Sequence, residues 1–100
     1  MISRMVEGAV QMVTESIDAF VKADLELCRK VIADDDYVDA AFNEVKEKLA
    51  DLICSQKIDA KAALYLLMTA KYLERIGDHA VNIAEWVEFS ITGIHKDTNI

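Results

Sequence analysis

The run ALYLLMTAKYLERIGDHAVNIAEWVEFSI, residues 63–91, decides the fold. Ala63, Leu66, Ala70, Leu73, Gly77, Ala80, Ala84, Val87 and Ile91 recur at spacings of three and four without a slip. On an α-helix that pattern is one continuous seam. Its middle is small (Ala70, Gly77, Ala80, Ala84), and small seam residues let helix backbones approach closely. A mid-helix glycine costs about 1 kcal/mol relative to alanine, so close packing is the expected reason for Gly77. Asp59 is placed to cap the start of this helix and Gly93 its end. Beside the seam runs a row of acids: Glu74 and Asp78, four residues apart and on one face, with Glu85 two turns further on.

Working back along the chain, Ile2, Val6, Ala9, Val13, Ser16 and Phe20 form a stripe widened by Met5, Met12 and Ile17. The stripe predicts an amphipathic first helix over about residues 2–22, with Gly8 tolerated inside it. Ala23-Asp24 ends it in a tight turn, so the second helix returns antiparallel. That helix begins on Leu25, Cys28, Val31 and Ile32 and meets three consecutive acids, Asp34, Asp35 and Asp36. Like charges there are unfavourable in mid-helix, and Asp36 with Asp39 resembles a capping box. A kink or brief break is therefore expected over residues 33–36. Val38, Phe42, Val45, Leu49 and Leu52 carry the seam on to about Cys54, and residues 55–59 make the second turn. The fold class is all-α: an antiparallel up-down-up three-helix bundle over residues 1–93, with residues 94–100 as a C-terminal tail.

Composition agrees. The chain has 100 residues, 53% of them hydrophobic, with no proline and 3 glycines, which suits long helices in one domain. A net charge of −7 and a pI near 4.7 exclude a nucleic-acid backbone as partner and favour a cation or a basic surface. Cys28 and Cys54 form no CxxC pair and no Cys/His cluster, so they read as reduced cysteines of a cytoplasmic protein, away from any structural zinc. The longest apolar stretch, residues 62–70, is about half of what spans a bilayer, and Glu7 interrupts the N-terminal apolar residues where a signal peptide would need them.

The hairpin register brings the acids together. With the second turn centred near residue 57, positions whose numbers sum to about 114 lie at one height. Asp39 then stands opposite position 75, beside Glu74, and Asp35 opposite position 79, beside Asp78. Four carboxylates so gathered repel unless a cation or bound protons offset the charge. Oxygen-only ligands suit hard ions such as Mg²⁺, Ca²⁺, Mn²⁺ or iron. The competing reading is a solvated acidic face neutralised by Lys71 and Arg75. His79 lies about 100° around the helix from Asp78 and reads as a surface or partner-facing residue rather than a fifth ligand. Asn82 and Glu85 extend the acidic face. Trp86 and Phe89, like Tyr65 and Tyr72, lie off the seam and read either as flank packing or as a partner surface.

Taken together, Tyr72 to Glu85 resembles the signature of the PhoU family, bacterial regulators of phosphate uptake and phosphate-starvation signalling. Ala33 to Asp39 is similar to that family's other signature, and Phe89 to Gly93 to its helix end. The resemblance implies a bundle that is one of a tandem pair, closest to the second. It implies metal binding at acidic pairs on facing helices, which here are Asp35 with Asp39 and Glu74 with Asp78. The expected cofactor is a divalent or trivalent ion: iron, zinc, magnesium or manganese. The implied function is that of an adaptor without enzymatic turnover. It couples a phosphate ABC transporter to a sensor histidine kinase, reaches the membrane only through partners, and negatively regulates the phosphate response.

The alternative is an accessory helical interaction domain of an ion or phosphate transporter. A di-iron carboxylate enzyme would need Glu-x-x-His pairs, and three residues after Glu74 comes Gly77. A third helix of about 32 residues, roughly 48 Å long against about 32 Å for the first, leaves part of the bundle uncovered. A homodimer, or a second bundle, is expected to cover it.

Overall fold

A computed structural model describes residues 2–93. Three helices account for nearly all of them: α1 (Ile2–Lys22), α2 (Leu25–Cys54) and α3 (Ala60–Thr92). The expected tail, residues 94–100, lies outside the described residues, and His95 with it. Among the described residues there is no strand, and no helix is long and apolar enough to cross a membrane.

The punctuation works as its chemistry dictates. Ala23 takes a left-handed backbone (φ 50°) and Asp24 caps α2, its carboxylate accepting from the Leu27 amide at 3.2 Å. Gln56 turns the second corner at φ 58°, and Asp59 accepts from the Ala62 amide at 3.4 Å. Gly93 closes α3 in the left-handed region at φ 76°, its amide reaching the Phe89 carbonyl at 2.7 Å.

Cross-helix contacts fix the directions. Arg4 pairs with Glu44 and Lys30 with Glu15, each at 2.8 Å, so α1 and α2 are antiparallel. Arg29 meets Glu88 near the open end of the second hairpin and Lys71 lies over the Phe42 ring closer to its turn, so α2 and α3 are antiparallel too. α1 and α3 are therefore parallel, and the chain runs up, down and up.

Of the kink or break expected over residues 33–36 the break is absent, and the expected core stripe of α1 needs correction. α2 runs unbroken through residues 33–36. Consecutive helical residues point about 100° apart, so the three acids do not stack. Asp34 is tied to Lys30 at 2.9 Å, Asp35 turns toward α3, and Asp36 faces solvent. The core face of α1 is also rotated from the expected stripe. Met5, Gly8, Ala9, Met12, Ser16 and Ala19 are buried, whereas Phe20 is 71% and Ile17 52% exposed. α1 is apolar over more than half its circumference, and a periodic pattern cannot say which half meets α2 and α3.

The core centres on Met12, Val38 and Gly77, where the three helices cross. A Cβ added at Gly77 would sit 3.5 Å from Val38 and 3.6 Å from Met12, which is ordinary contact. Close packing does not require glycine there. At Gly8 the same atom would lie 3.3 Å from both Tyr37 and Val38, so Gly8 is the position where small size matters. Gly77→Ala is therefore expected to stabilise the chain by about 1 kcal/mol through helix propensity. That raises the thermal midpoint by about 4–8 °C in a domain of this size. Gly8→Ala should recover less, because the Tyr37 ring must move. Paired thermal melts followed by circular dichroism check both.

Of the cysteines, Cys28 is buried and Cys54 exposed. Burial, more than any neighbouring charge, pushes the Cys28 thiol up from its ordinary pKa and keeps it unreactive.

Candidate metal centre

The acids converge where the hairpin register puts them. Asp35 and Asp39 lie one turn apart on the flank of α2 that faces α3, just outside the buried row Val31, Val38 and Val45. Asp78 follows the seam residue Gly77 on the facing flank of α3. One carboxylate oxygen from each of Asp35, Asp39 and Asp78 lies within 4.8 Å of the other two. Two oxygens on opposite sides of one ion are separated by twice the bond length, about 4.2 Å for Mg²⁺ and about 4.8 Å for Ca²⁺. The three groups thus stand at ligand spacing before any rearrangement.

The fourth expected residue, Glu74, lies against Asp39 but outside the group of three at mutual ligand spacing. Glu74 is partly buried and engaged by Lys71, whose ammonium donates to its Oε1 at 2.6 Å. It remains close enough to Asp39 to raise that group's pKa, so exchanging its lysine for the cluster needs only side-chain motion. Arg75, the other cation of the competing reading, lies over the Tyr72 ring instead. No lysine or arginine among the described residues pairs with Asp35, Asp39 or Asp78.

The electrostatics record the cost of that gathering. Burial, followed by the charges of Asp39 and Asp78, pushes the Asp35 carboxyl up to about 6 from an ordinary 3.8. Burial, then the charges of Glu74 and Asp78, raises Asp39 as well. Asp35 Oδ1 is a buried oxygen with no hydrogen-bond partner. An orphaned buried acceptor beside two further carboxylates is the donor set of a hard cation, and the residues fit such an ion.

The remaining candidates stay outside. His79 is exposed on the other side of α3, where it lines an apolar hollow with Phe20, Ile83 and Trp86. Asn82 is exposed and Glu85 partly buried, and neither joins the cluster. Sequence reasoning missed Glu88, a buried acid that accepts from Arg29 Nε at 3.3 Å. Its signal was available, since positions 29 and 88 sum close to the register that paired the other acids.

Residues 2–87 match the model of the PhoU domain. A phosphate-specific transport system accessory protein PhoU homolog of Caulobacter vibrioides is 37% identical over 90 residues, covering 90% of this chain and 38% of that protein. The homolog of Clostridium acetobutylicum is 33% identical over 88 residues, covering 88% of this chain and 40% of the relative. For homolog 1 of Methanothermobacter thermautotrophicus the identity is 33% over 91 residues, with 91% and 42% covered. The chain thus spans about two fifths of the length of these curated relatives. No solved structure matches it.

Proposed function

The chain belongs to the PhoU domain family, and from that premise we propose that it is an accessory component of a phosphate-transport system whose α2/α3 acid face holds a metal ion. The observation that supports this most directly is the convergence of Asp35, Asp39 and Asp78 around an unpartnered buried oxygen. Asp35 and Asp39 supply the α2 side, Asp78 the α3 side, and Glu74 joins on release from Lys71. A bound cation offsets the repulsion between the carboxylates and ties α2 to α3 across the solvent-facing flank of the bundle. Iron, zinc, magnesium and manganese are the candidate ions, and the oxygen-only donor set favours the harder ones.

The site sits on the flank and is open to solvent, which suits regulation and contact rather than turnover. In this reading the protein acts on the cytoplasmic side as an adaptor between a phosphate ABC transporter and a sensor histidine kinase, and it negatively regulates phosphate uptake. It works as one of a pair of bundles, the other being a second copy or another PhoU bundle. Because the chain spans only about two fifths of its relatives, a second reading carries weight: an accessory interaction domain of an ion or phosphate transporter, with the same acid face and a different partner.

The test is metal analysis of the purified chain beside the quadruple variant Asp35→Ala, Asp39→Ala, Glu74→Ala, Asp78→Ala. The native chain is expected to retain metal after dialysis and the variant to lose it. Equal metal content in the two would sink the assignment.

A further inference from the structure

We propose that Lys71 sets the affinity of the acid face: its ammonium is a resident counter-ion that an incoming metal ion must displace from Glu74. This role rests on the metal reading above and adds the regulation of that site.

Three pairs cross the α2/α3 hairpin at successive levels, and the position numbers in each pair add to the same total. Asp35 meets Asp78, Asp39 meets Glu74, and Phe42 meets Lys71. Two levels of facing carboxylates are thus followed directly by a level that carries a cation. Lys71 is held at two points. Its Nζ donates to Glu74 Oε1 at 2.6 Å, within α3, and lies 5.3 Å from the centre of the Phe42 ring, across on α2. Phe42 is 7% exposed, so the ring is a fixed seat for the ammonium.

Burial decides which member of the ion pair can leave. The Lys71 side chain is 48% exposed and the Glu74 side chain 13%. The ammonium can turn toward water readily. Glu74, freed of its lysine, stays beside Asp39 and adds a charge to the carboxylates already gathered. A divalent ion at Asp35, Asp39 and Asp78 offsets that charge and takes Glu74 as a further oxygen ligand. The displaced ammonium keeps the face of the Phe42 ring, so the contact between α2 and α3 survives the exchange.

The neighbouring cations are not equivalent to Lys71. Lys46 Nζ lies 5.0 Å from the centre of the same ring, yet pairs with no acid among the described residues. Arg75 lies over Tyr72. Lys46 therefore carries the same charge to the same ring without a hold on the site. By linkage, whatever draws the Lys71 ammonium off Glu74 tightens the ion by the factor at which the ion loosens the ammonium. An exposed ion pair suppresses its own opening about two- to fivefold. A unit positive charge removed from beside a divalent ion adds about a few-fold more, since water screens it.

Titration of the chelator-treated chain with Mn²⁺, followed by calorimetry and by loss of the free-ion paramagnetic resonance signal, reads the affinity. Lys71→Met is expected to bind Mn²⁺ about tenfold tighter than the native chain, and Lys46→Met no more than about threefold tighter. Glu74→Gln removes the group over which ion and ammonium compete, so adding Lys71→Met to it should gain no more than about threefold. Thermal melts give a second readout. Lys71→Met should melt below the native chain in chelator and rise further than it does when Mn²⁺ is added. Loss of a merely structural ion pair would lower both melts alike.

Mn²⁺ bound by the native chain and no tighter by Lys71→Met overturns the proposal and leaves the metal reading intact. An equal gain from Lys46→Met, or an undiminished gain in the Glu74→Gln background, also overturns it, because net charge alone then accounts for the effect. Mn²⁺ bound by none of the chains removes the metal reading and the role of Lys71 with it. Uptake by Lys71→Met alone is the limiting form of the expected result.

Discussion

Asp35→Asn is expected to melt higher than the native chain at pH 7 in the presence of a chelator, by about 5–10 °C. Folding raises the Asp35 carboxyl from 3.8 to about 6, so the folded chain binds that proton more readily than the unfolded chain does. Between those two values the folded state holds a proton that the unfolded state has released. Stability contributed by this group is therefore fully present below about pH 4, falls as pH rises through 6, and is absent above it. Two pKa units correspond to about 3 kcal/mol; solvent screening of a half-buried carboxyl reduces this to about 1–2 kcal/mol.

Asparagine keeps the shape and removes the charge, so the variant should show a flatter stability profile between pH 4 and 7. Metal reverses the order. Mn²⁺ at a hundred times its dissociation constant stabilises the native chain by about 2.7 kcal/mol, and the variant, short of one anionic ligand, by much less. Thermal melts with chelator and with Mn²⁺, at pH 4, 5.5 and 7, give the full comparison. A variant that melts lower in chelator would mean that the Asp35 charge is compensated within the protein, and the cation would lose its role.

The second large effect is expected at Met12. It is 1% exposed and lies against Val38 and Gly77 at the crossing of the three helices. Met12→Ala removes three heavy atoms from a position that rigid helices on both sides cannot collapse to fill. The expected loss is about 2–5 kcal/mol, a large part of the roughly 5–15 kcal/mol that holds a small domain together. In a domain of this size the thermal midpoint drops by about 10–25 °C. Phe20→Ala, a larger truncation, should change the unfolding of the monomer by no more than about 0.5 kcal/mol, because the ring is mostly in solvent. Urea unfolding of the two variants separates the effects. An equal loss at both sites would return Phe20 to the core, where the stripe of α1 had placed it.

The contrast between Met12 and Phe20 marks where the sequence runs out. Helix bounds, caps and the direction of each helix were legible, because capping and seam periodicity are local properties of the chain. Asp24, Asp59 and Gly93 do what their side chains and backbone freedom dictate anywhere. The pairing of Asp35 and Asp39 with Asp78 was legible too. A short turn fixes the register of two antiparallel helices, and after that the position numbers determine which residues meet.

Three things were decided only by tertiary packing. A helix that is apolar on two sides, such as α1, has no internal reason to bury one side over the other. The positions of α2 and α3 made that choice, and they left Val10, Ile17 and Phe20 outside. Unbroken helix through Asp34, Asp35 and Asp36 depended on Lys30 and on the neighbouring helix to place each acid. The engagement of Glu74 by Lys71 divided four acids that spacing had treated alike into three at mutual ligand spacing and a fourth that meets Asp39 while paired with its lysine. Charge and periodicity say which groups come to one level of a bundle. Which of them share a cation depends on distances of a few ångströms, and those are set by how the helices rotate against one another.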